Sequence, residues 1–379
     1  MTGPPTPVHG PCDPAFGAVR TAFAENFADR GEVGAAACVT VDGRVVVDLV
    51  GGWSDAARTR PWRPDTLVNM YSAGKGILAL LVLQLVDRGD IGLDDPIGGV
   101  WPEYAHGGKQ ATTLRQALCH RAGVPAIRQR LTNGDLLDWN RMVAALAATE
   151  PWWEPGTRHA YHTNTFGHLI GEVIRRVAGA MPGERLRGVA GPLAADVWFG
   201  VPLAEQDRCA EVIWAPAAPI RTELPALEGD ALMNVLAHVN PPGYSSIGLV
   251  NTAPWRSAQI PSTNGHATAA GLARLYASML RPGELLSTDL IEEATAVASR
   301  GWCPILNDDM SFGLGFMPTT PARPLSPNPR SFGHFGTGGA LGFADPDARV
   351  AFGYVMNHVI PRWRSTRNLA LIDAVYDCL

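Results

Sequence analysis

Lysine is almost missing from this sequence. Of its 31 basic residues only Lys75 and Lys109 are lysines, and no Lys/Arg run is long enough to track a polyanion. With a formal charge of −5 at pH 7, the chain has no basic footprint, so nucleic acid is not an expected partner. Cysteine is sparse as well. Cys12, Cys38, Cys119, Cys209, Cys303 and Cys378 lie far apart without a C-x-x-C pair, which excludes a disulfide frame or zinc site and reads as scattered reduced thiols. No apolar run reaches the roughly 18–20 residues needed to span a bilayer. Met1-Thr2-Gly3-Pro4-Pro5 shows neither the basic start nor the apolar stretch of a secretory signal. A cytoplasmic location with no membrane partner is therefore expected. H-E-x-x-H is absent too, so His159, His162 and His168 are expected to be solvated or helix-capping. Neither a metal nor a cofactor is expected.

What is present points to a folded enzyme. Apolar residues make up 46% and charged residues 18% of 379 positions, the balance of a globular chain. That length is generous for one core, so two lobes are expected.

The stretch Tyr71-Ser72-Ala73-Gly74-Lys75 organises the rest. It is followed by an apolar run from Ile77 to Val86 with no Gly or Pro before Gly89, which predicts a buried helix ending there. Asn69 is its expected N-cap, which puts Ser72 in the first turn. Residues three apart share a helix face with Cβ atoms about 5–6 Å apart, so the Ser72 hydroxyl and the Lys75 amine should meet. First-turn N–H groups lack intrahelical acceptors, so Ser72 can offer its own to a developing oxyanion. The apolar run would bury the amine and lower its pKa. A hydroxyl, an amine able to take its proton and a free N–H are the core of a serine acyl-transfer site. S-x-x-K alone is a short pattern, and its weight comes from two segments downstream.

Along the chain, residues 1–12 read as an arm and Phe16 to Ala28 as a helix. Ala35–Val41 and Arg44–Val50 form a hairpin across Asp42-Gly43. Helices are expected over Thr112–Leu118, Asp138–Thr149, Thr165–Val177, Asp230–His238 and Ala267–Met279, while residues 180–220 carry little pattern. Strands return at Ser311–Phe316, Gly333–Phe343 and Val350–Asn357, and Ser365–Leu379 closes as a helix. The implied fold is α+β: an antiparallel sheet built from both ends of the chain, flanked by helices, with an inserted mainly helical lobe. Residues 1–84, 159–220 and 286–379 are assigned to the α/β part, and 85–158 and 221–285 to the lobe. A cleft between the two is the expected place for a site.

Tyr161 follows the Pro155-Gly156 loop and precedes a helix; from position alone it suits either a cleft phenol or a core tyrosine. His334-Phe335-Gly336-Thr337-Gly338-Gly339 lies on the penultimate strand, where glycines let another backbone or a ligand come close. Together, Ser72-Ala73-Gly74-Lys75, Tyr161 after Glu154-Pro155-Gly156, and His334-Phe335-Gly336 resemble the class C β-lactamase superfamily. That group includes penicillin-binding peptidases, family VIII carboxylesterases, nylon-oligomer hydrolases and an acyltransferase of statin biosynthesis. Leu118-Cys119-His120-Arg121-Ala122-Gly123-Val124-Pro125, Thr163 to Gly171 and Asn264-Gly265-His266 extend the resemblance, the last two toward the esterase branch.

The resemblance implies Ser72 as nucleophile, Lys75 and Tyr161 as the general base pair, and an oxyanion hole from the N–H groups of Ser72 and Thr337. It implies substrate contacts at His334, Phe335 and Gly336. Trp153 and Tyr244 are further candidate contacts, among several tryptophans (Trp139, Trp152, Trp255, Trp302) expected near the cleft. Gly243-Tyr244-Ser245-Ser246-Ile247 departs from a nucleophile elbow at Ile247. Related lactamases and peptidases have Lys-Thr-Gly where this chain has His334-Phe335-Gly336, so a fixed cation for a substrate carboxylate is missing. The expected activity is hydrolysis of a small-molecule carboxylic ester. An acyltransferase, a β-lactamase or amide hydrolase, and a catalytically silent binding protein are the rivals. The oligomeric state is open.

Overall fold

The computed structural model describes residues 6–215, 227–281, 283–360 and 365–379. Strands β1 (Val8–His9), β2 (Gly34–Val41) and β3 (Arg44–Gly52) come from the N-terminal part. Asp42 and Gly43 both adopt positive φ, 52° and 76°, the geometry that lets a two-residue turn follow the twist of a hairpin. Strands β4 (Ser299–Cys303) and β5 (Asp308–Phe312) pair as a separate hairpin. Strands β6 (Met317–Pro318), β7 (Phe332–Phe335), β8 (Leu341–Asp345) and β9 (Val350–Met356) then return to the main sheet. That sheet is antiparallel throughout, in the order β1-β3-β2-β9-β8-β7-β6. The two ends of the chain meet at β2 and β9, with Ala35 opposite Met356 and Val41 opposite Val350.

The main helices are α1 (Gly17–Asp29), α2 (Gly74–Asp87), α3 (Trp139–Ala148), α4 (Thr165–Ala178), α5 (Gly229–Val239), α6 (Ala269–Met279) and α7 (Thr366–Tyr376). Helix α1 covers one sheet face, where Phe23 and Phe27 press on Gly51. Helix α6 covers the other, and there Gly342 and Gly353 make room: an added Cβ would lie 2.3 Å from the Tyr276 ring and 2.2 Å from Ala269 O. Helix α7 packs against α1, and α2 runs between α4 and β7. Every side chain of α2 from Ile77 to Leu83 is fully buried, which suits a helix apolar on all sides. The fold is thus an antiparallel sheet flanked by helices, with a mainly helical lobe inserted. Lys109 is buried in that lobe, and its amine donates to Ala147 O at 3.0 Å and Thr149 O at 2.6 Å. It satisfies carbonyls that the end of α3 leaves without partners.

Several expectations need correction. Asn69 does not cap α2; it lies in a short strand, Val68–Asn69, and the chain enters the helix through a 3-10 turn, Tyr71–Ala73. The single strand expected over 333–343 is two strands, β7 and β8, separated by the turn Thr337–Gly339. Part of the N-terminal arm is an edge strand, β1. The strand expected over Ser311–Phe316 is β5, which runs Asp308–Phe312 and pairs with β4; β4, this hairpin pairing and a helix over Pro182–Ala190 were not foreseen. The boundary placed at 220/221 lies outside the described residues. Among the described residues no helix is long and apolar enough to cross a membrane.

Candidate active site

Tyr71 has a φ of 51°, a conformation that a bulky residue adopts only when its surroundings impose it. Its hydroxyl is 3.1 Å from Ser246 Oγ, and its ring meets Trp214 edge-on at 6.0 Å. This forced bend turns the chain from the Val68–Asn69 strand into the 3-10 turn and sets Ser72 at the mouth of α2. Ser72 is buried except for a thin edge, 6% of its surface. Lys75, one turn on, is fully buried, and its amine donates to Ser72 Oγ at 3.0 Å and to Ser262 O at 3.1 Å. Burial holds the Lys75 pKa well below the usual lysine range, because no carboxylate among the described cavity-lining residues offsets the cost of a buried charge.

Tyr161 is fully buried and completes the group. The Lys75 amine stands 4.8 Å from its ring centroid, and both Tyr161 and Ser72 line the same cavity. Burial pushes the Tyr161 pKa upward, with the Ser72 side chain opposing the shift. The ring stacks on Phe312 at 5.7 Å and on His334 at 6.2 Å, and His120 meets it edge-on at 4.9 Å. Its backbone N–H donates to Cys303 Sγ at 3.2 Å, so the unforeseen β4–β5 hairpin helps fix the phenol. His162, next in sequence, is buried and not solvated as expected. Its Nδ1 bonds Ala160 O at 2.7 Å, and its Nε2 accepts from Val124 N–H at 3.2 Å. Burial lowers its pKa to about 4, so it spaces backbone segments as a neutral ring.

Strand β7 closes the other side. An added Cβ on Gly336 would lie 2.2 Å from Met70 O and 3.3 Å from Ala73 N, so only glycine lets this strand pass against the Ser72 turn. Thr337 follows at the start of the turn Thr337–Gly339, where leading N–H groups have no intrahelical acceptor. The N–H groups of Ser72 and Thr337 thus belong to two turn starts that Gly336 brings together. His334 is buried, with Nδ1 2.7 Å from Phe335 O, and burial followed by the nearby Lys75 lowers its pKa to about 3. It supplies no positive charge.

A cavity of about 390 Å³ opens on Ser72 and is lined by Tyr161, Thr337, Tyr71, Trp214, Tyr244 and Ile247 among others. Tyr244 is held there by its hydroxyl, 3.1 Å from His168 Nδ1. His334, Phe335, Gly336 and Trp153 are not among the described residues lining it. Phe335 points to the opposite side of β7 from His334, as alternate strand residues must, and lines a neighbouring hollow with Met310 and Met317. Trp153 spends its indole N–H on Arg158 O at 3.0 Å. The tryptophan in the cavity is Trp214, which sequence reasoning did not single out. Trp302 stands 57% exposed on the β4–β5 hairpin. Among the described residues no group of three or more His, Cys, Asp or Glu side chains could hold a metal ion.

Residues 19–376 match the family model described as Beta-lactamase. The chain is 35% identical over 375 residues to Esterase/beta-lactamase LipL of Mycobacterium tuberculosis, covering 93% of this chain and 83% of that protein. It superposes on a family VIII carboxylesterase with a TM-score of 0.90 at 38% identity, covering 98% of this chain and all (100%) of that one. A penicillin-binding protein homologue from Caulobacter crescentus gives a TM-score of 0.90 at 39% identity, covering 99% and 100%.

Proposed function

This chain belongs to the beta-lactamase family of serine-type hydrolases, and on that footing we propose that it is a carboxylesterase working through a Ser72 acyl-enzyme. The observation that carries the reading is the Lys75 amine 3.0 Å from Ser72 Oγ, buried with no counter-ion among the described residues. Neutral Lys75 takes the Ser72 proton as Oγ attacks the ester carbonyl carbon. The oxyanion that forms lies between the N–H groups of Ser72 and Thr337. The carbon–oxygen bond to the alcohol then breaks, and the proton passes by way of the Tyr161 hydroxyl to the departing oxygen. Water repeats the sequence: it loses a proton to the same pair, attacks the acyl carbon and releases Ser72.

Substrate class follows from the walls. Tyr71, Trp214, Val239, Ile247 and Leu306 give a largely apolar cavity of about 390 Å³, which suits short to medium acyl groups. Neutral, buried His334 stands where a carboxylate-binding lysine would be needed for β-lactams or D-Ala peptides, so charged substrates are disfavoured. A β-lactamase side activity is the second reading, favoured by the name of the mycobacterial relative. Nitrocefin turnover should therefore be slow beside that of p-nitrophenyl butyrate. Ser72→Ala should lower p-nitrophenyl butyrate hydrolysis at least about a thousandfold, and wild-type turnover by that variant would remove the nucleophile assignment.

A further inference from the structure

Behind the turn that carries Thr337 lies a buried charge cluster with no part in the chemistry above. Arg367, in the first turn of α7, and Glu32, between α1 and β2, are both sealed from solvent and paired at 2.7 Å through Nη1 and Oε1. The Tyr354 hydroxyl, from β9, donates to the other Glu32 oxygen. A buried pair of this kind is weak ground for stability, because desolvation offsets much of its attraction. Its remaining contacts show what it holds. Arg367 Nη2 donates to Gly338 O and to His358 O, both at 3.0 Å. Asn368, the next residue, donates through Nδ2 to Gly339 O at 3.0 Å.

Gly338 and Gly339 have φ values of 86° and 108°, and an added Cβ would strike Met356 at 2.7 Å or Ser365 at 2.6 Å. Two adjacent glycines have wide conformational freedom and no side chains of their own to restrict it. Donors from outside the turn must therefore set its shape. At the near end, Gly336 N–H donates to Ala340 O at 2.7 Å and Gly339 N–H to Gly336 O at 3.1 Å. Thr337 sits between these two sets of restraints.

We propose that Arg367, oriented by Glu32 and Tyr354, and Asn368 are positioning residues for the oxyanion hole: by fixing the Gly338 and Gly339 carbonyls they keep the Thr337 N–H aimed at the substrate oxygen. The inference rests on the acyl-enzyme reading given above. Donors of this kind act only when held within about 0.5 Å of the productive place. The planar guanidinium can bond Glu32 and Gly338 at once, whereas an ammonium at the same site acts as a point charge without that fork.

The test uses Arg367→Lys and Asn368→Asp in the full chain, with active sites counted by fluorophosphonate labelling carried to completion. Asn368→Asp keeps the oxygen that accepts from Ser365 N–H at 3.1 Å but sets a carboxylate oxygen against Gly339 O. In each variant, kcat for p-nitrophenyl butyrate per labelled site should fall about 10- to 100-fold, less than the ~10²–10³ for outright loss of a donor. KM should stay within about twofold, as for an interaction used mainly in the transition state. Phe23→Leu, on the face of α1 that packs against Gly51, should lose thermal stability yet keep its kcat per labelled site. Unchanged kcat per site in Asn368→Asp overturns the proposal, as does an equal loss in Phe23→Leu. Should Arg367→Lys fail to fold, Asn368→Asp decides alone. Failure of the acyl-enzyme reading has a separate signature, since Ser72→Ala would then still turn over.

Discussion

At the scale of single residues, the site turns on a lysine that is more easily neutral than an ordinary one. Burial disfavours the ammonium of Lys75, so its proton leaves below the usual value of about 10.4. Under the proposed mechanism kcat/KM should rise with pH through an apparent pKa well below that of an ordinary lysine and then level off as the amine becomes neutral. A flat profile from pH 5 to 9 would count against the Lys75–Tyr161 pair. Lys75→Arg keeps a cation that never deprotonates, and should lose about 10²–10⁴ in kcat. Much of this was legible, because Ser72 and Lys75 are spaced by one helical turn and Tyr161 and His334 sit in patterned segments. What was not legible is made of backbone and of distant aromatics. Ser262 bonds Lys75 through its carbonyl, which any residue could supply, and nothing local marks Trp214 as a wall of the Ser72 cavity. That Phe335 lines a neighbouring hollow and not the Ser72 cavity was not legible, because a motif names residues without saying which strand face each occupies.

At the scale of elements, two joints set the geometry. Strand β7 meets the Ser72 turn at Gly336, where an added Cβ would lie 2.2 Å from Met70 O. Gly336→Ala should therefore displace β7, cost about 1–3 kcal/mol of stability as overpacking does, and depress kcat more than Ser72 labelling; a melting curve and active-site titration check both. The other joint ties Tyr71 to Ser246, both at positive φ, 51° and 68°, by a buried hydroxyl contact. Tyr71→Phe should cost about 1 kcal/mol and shift KM more than the rate of Ser72 labelling, since the Tyr244–Ile247 wall would lose its tether to the Ser72 turn. Helix positions were readable from periodicity and caps, as with Thr113 and Gln116 in their reciprocal capping box. The entry into α2 was not. A forced φ at Tyr71 has no propensity signature, and so Asn69 looked like a cap. The break at 337–339 was hidden by the continuous apolar and glycine character of the segment.

At the scale of the whole molecule, the scheme of strands at both ends and helices between was visible, because alternation and turn residues mark hairpins even when their partners lie far away in sequence. Strand β4, and with it the β4–β5 pairing, was missed because its five residues mix exposed and buried positions without regular alternation. The fold also buries many imidazoles. Burial lowers His162 to about 4 and His168, His266 and His334 to about 3. Unfolded histidine binds a proton below about 6.5, so between that pH and about 4 the unfolded chain takes up more protons than the folded one. Stability should fall as pH drops through this window, each such ring adding a slope of up to about 1.4 kcal/mol per pH unit. Urea midpoints measured from pH 7 to 4 should decline accordingly, and a constant midpoint would contradict the burial of neutral rings. The scarcity of lysine has a last consequence, because Lys75 is buried against Ser72 and Lys109 is sealed against α3. No side-chain amine is left on the outside to intercept an activated acyl donor. Mass spectrometry of the intact protein quenched during turnover should therefore show one added acyl group, with little of the surface acylation that obscures trapped intermediates in lysine-rich hydrolases.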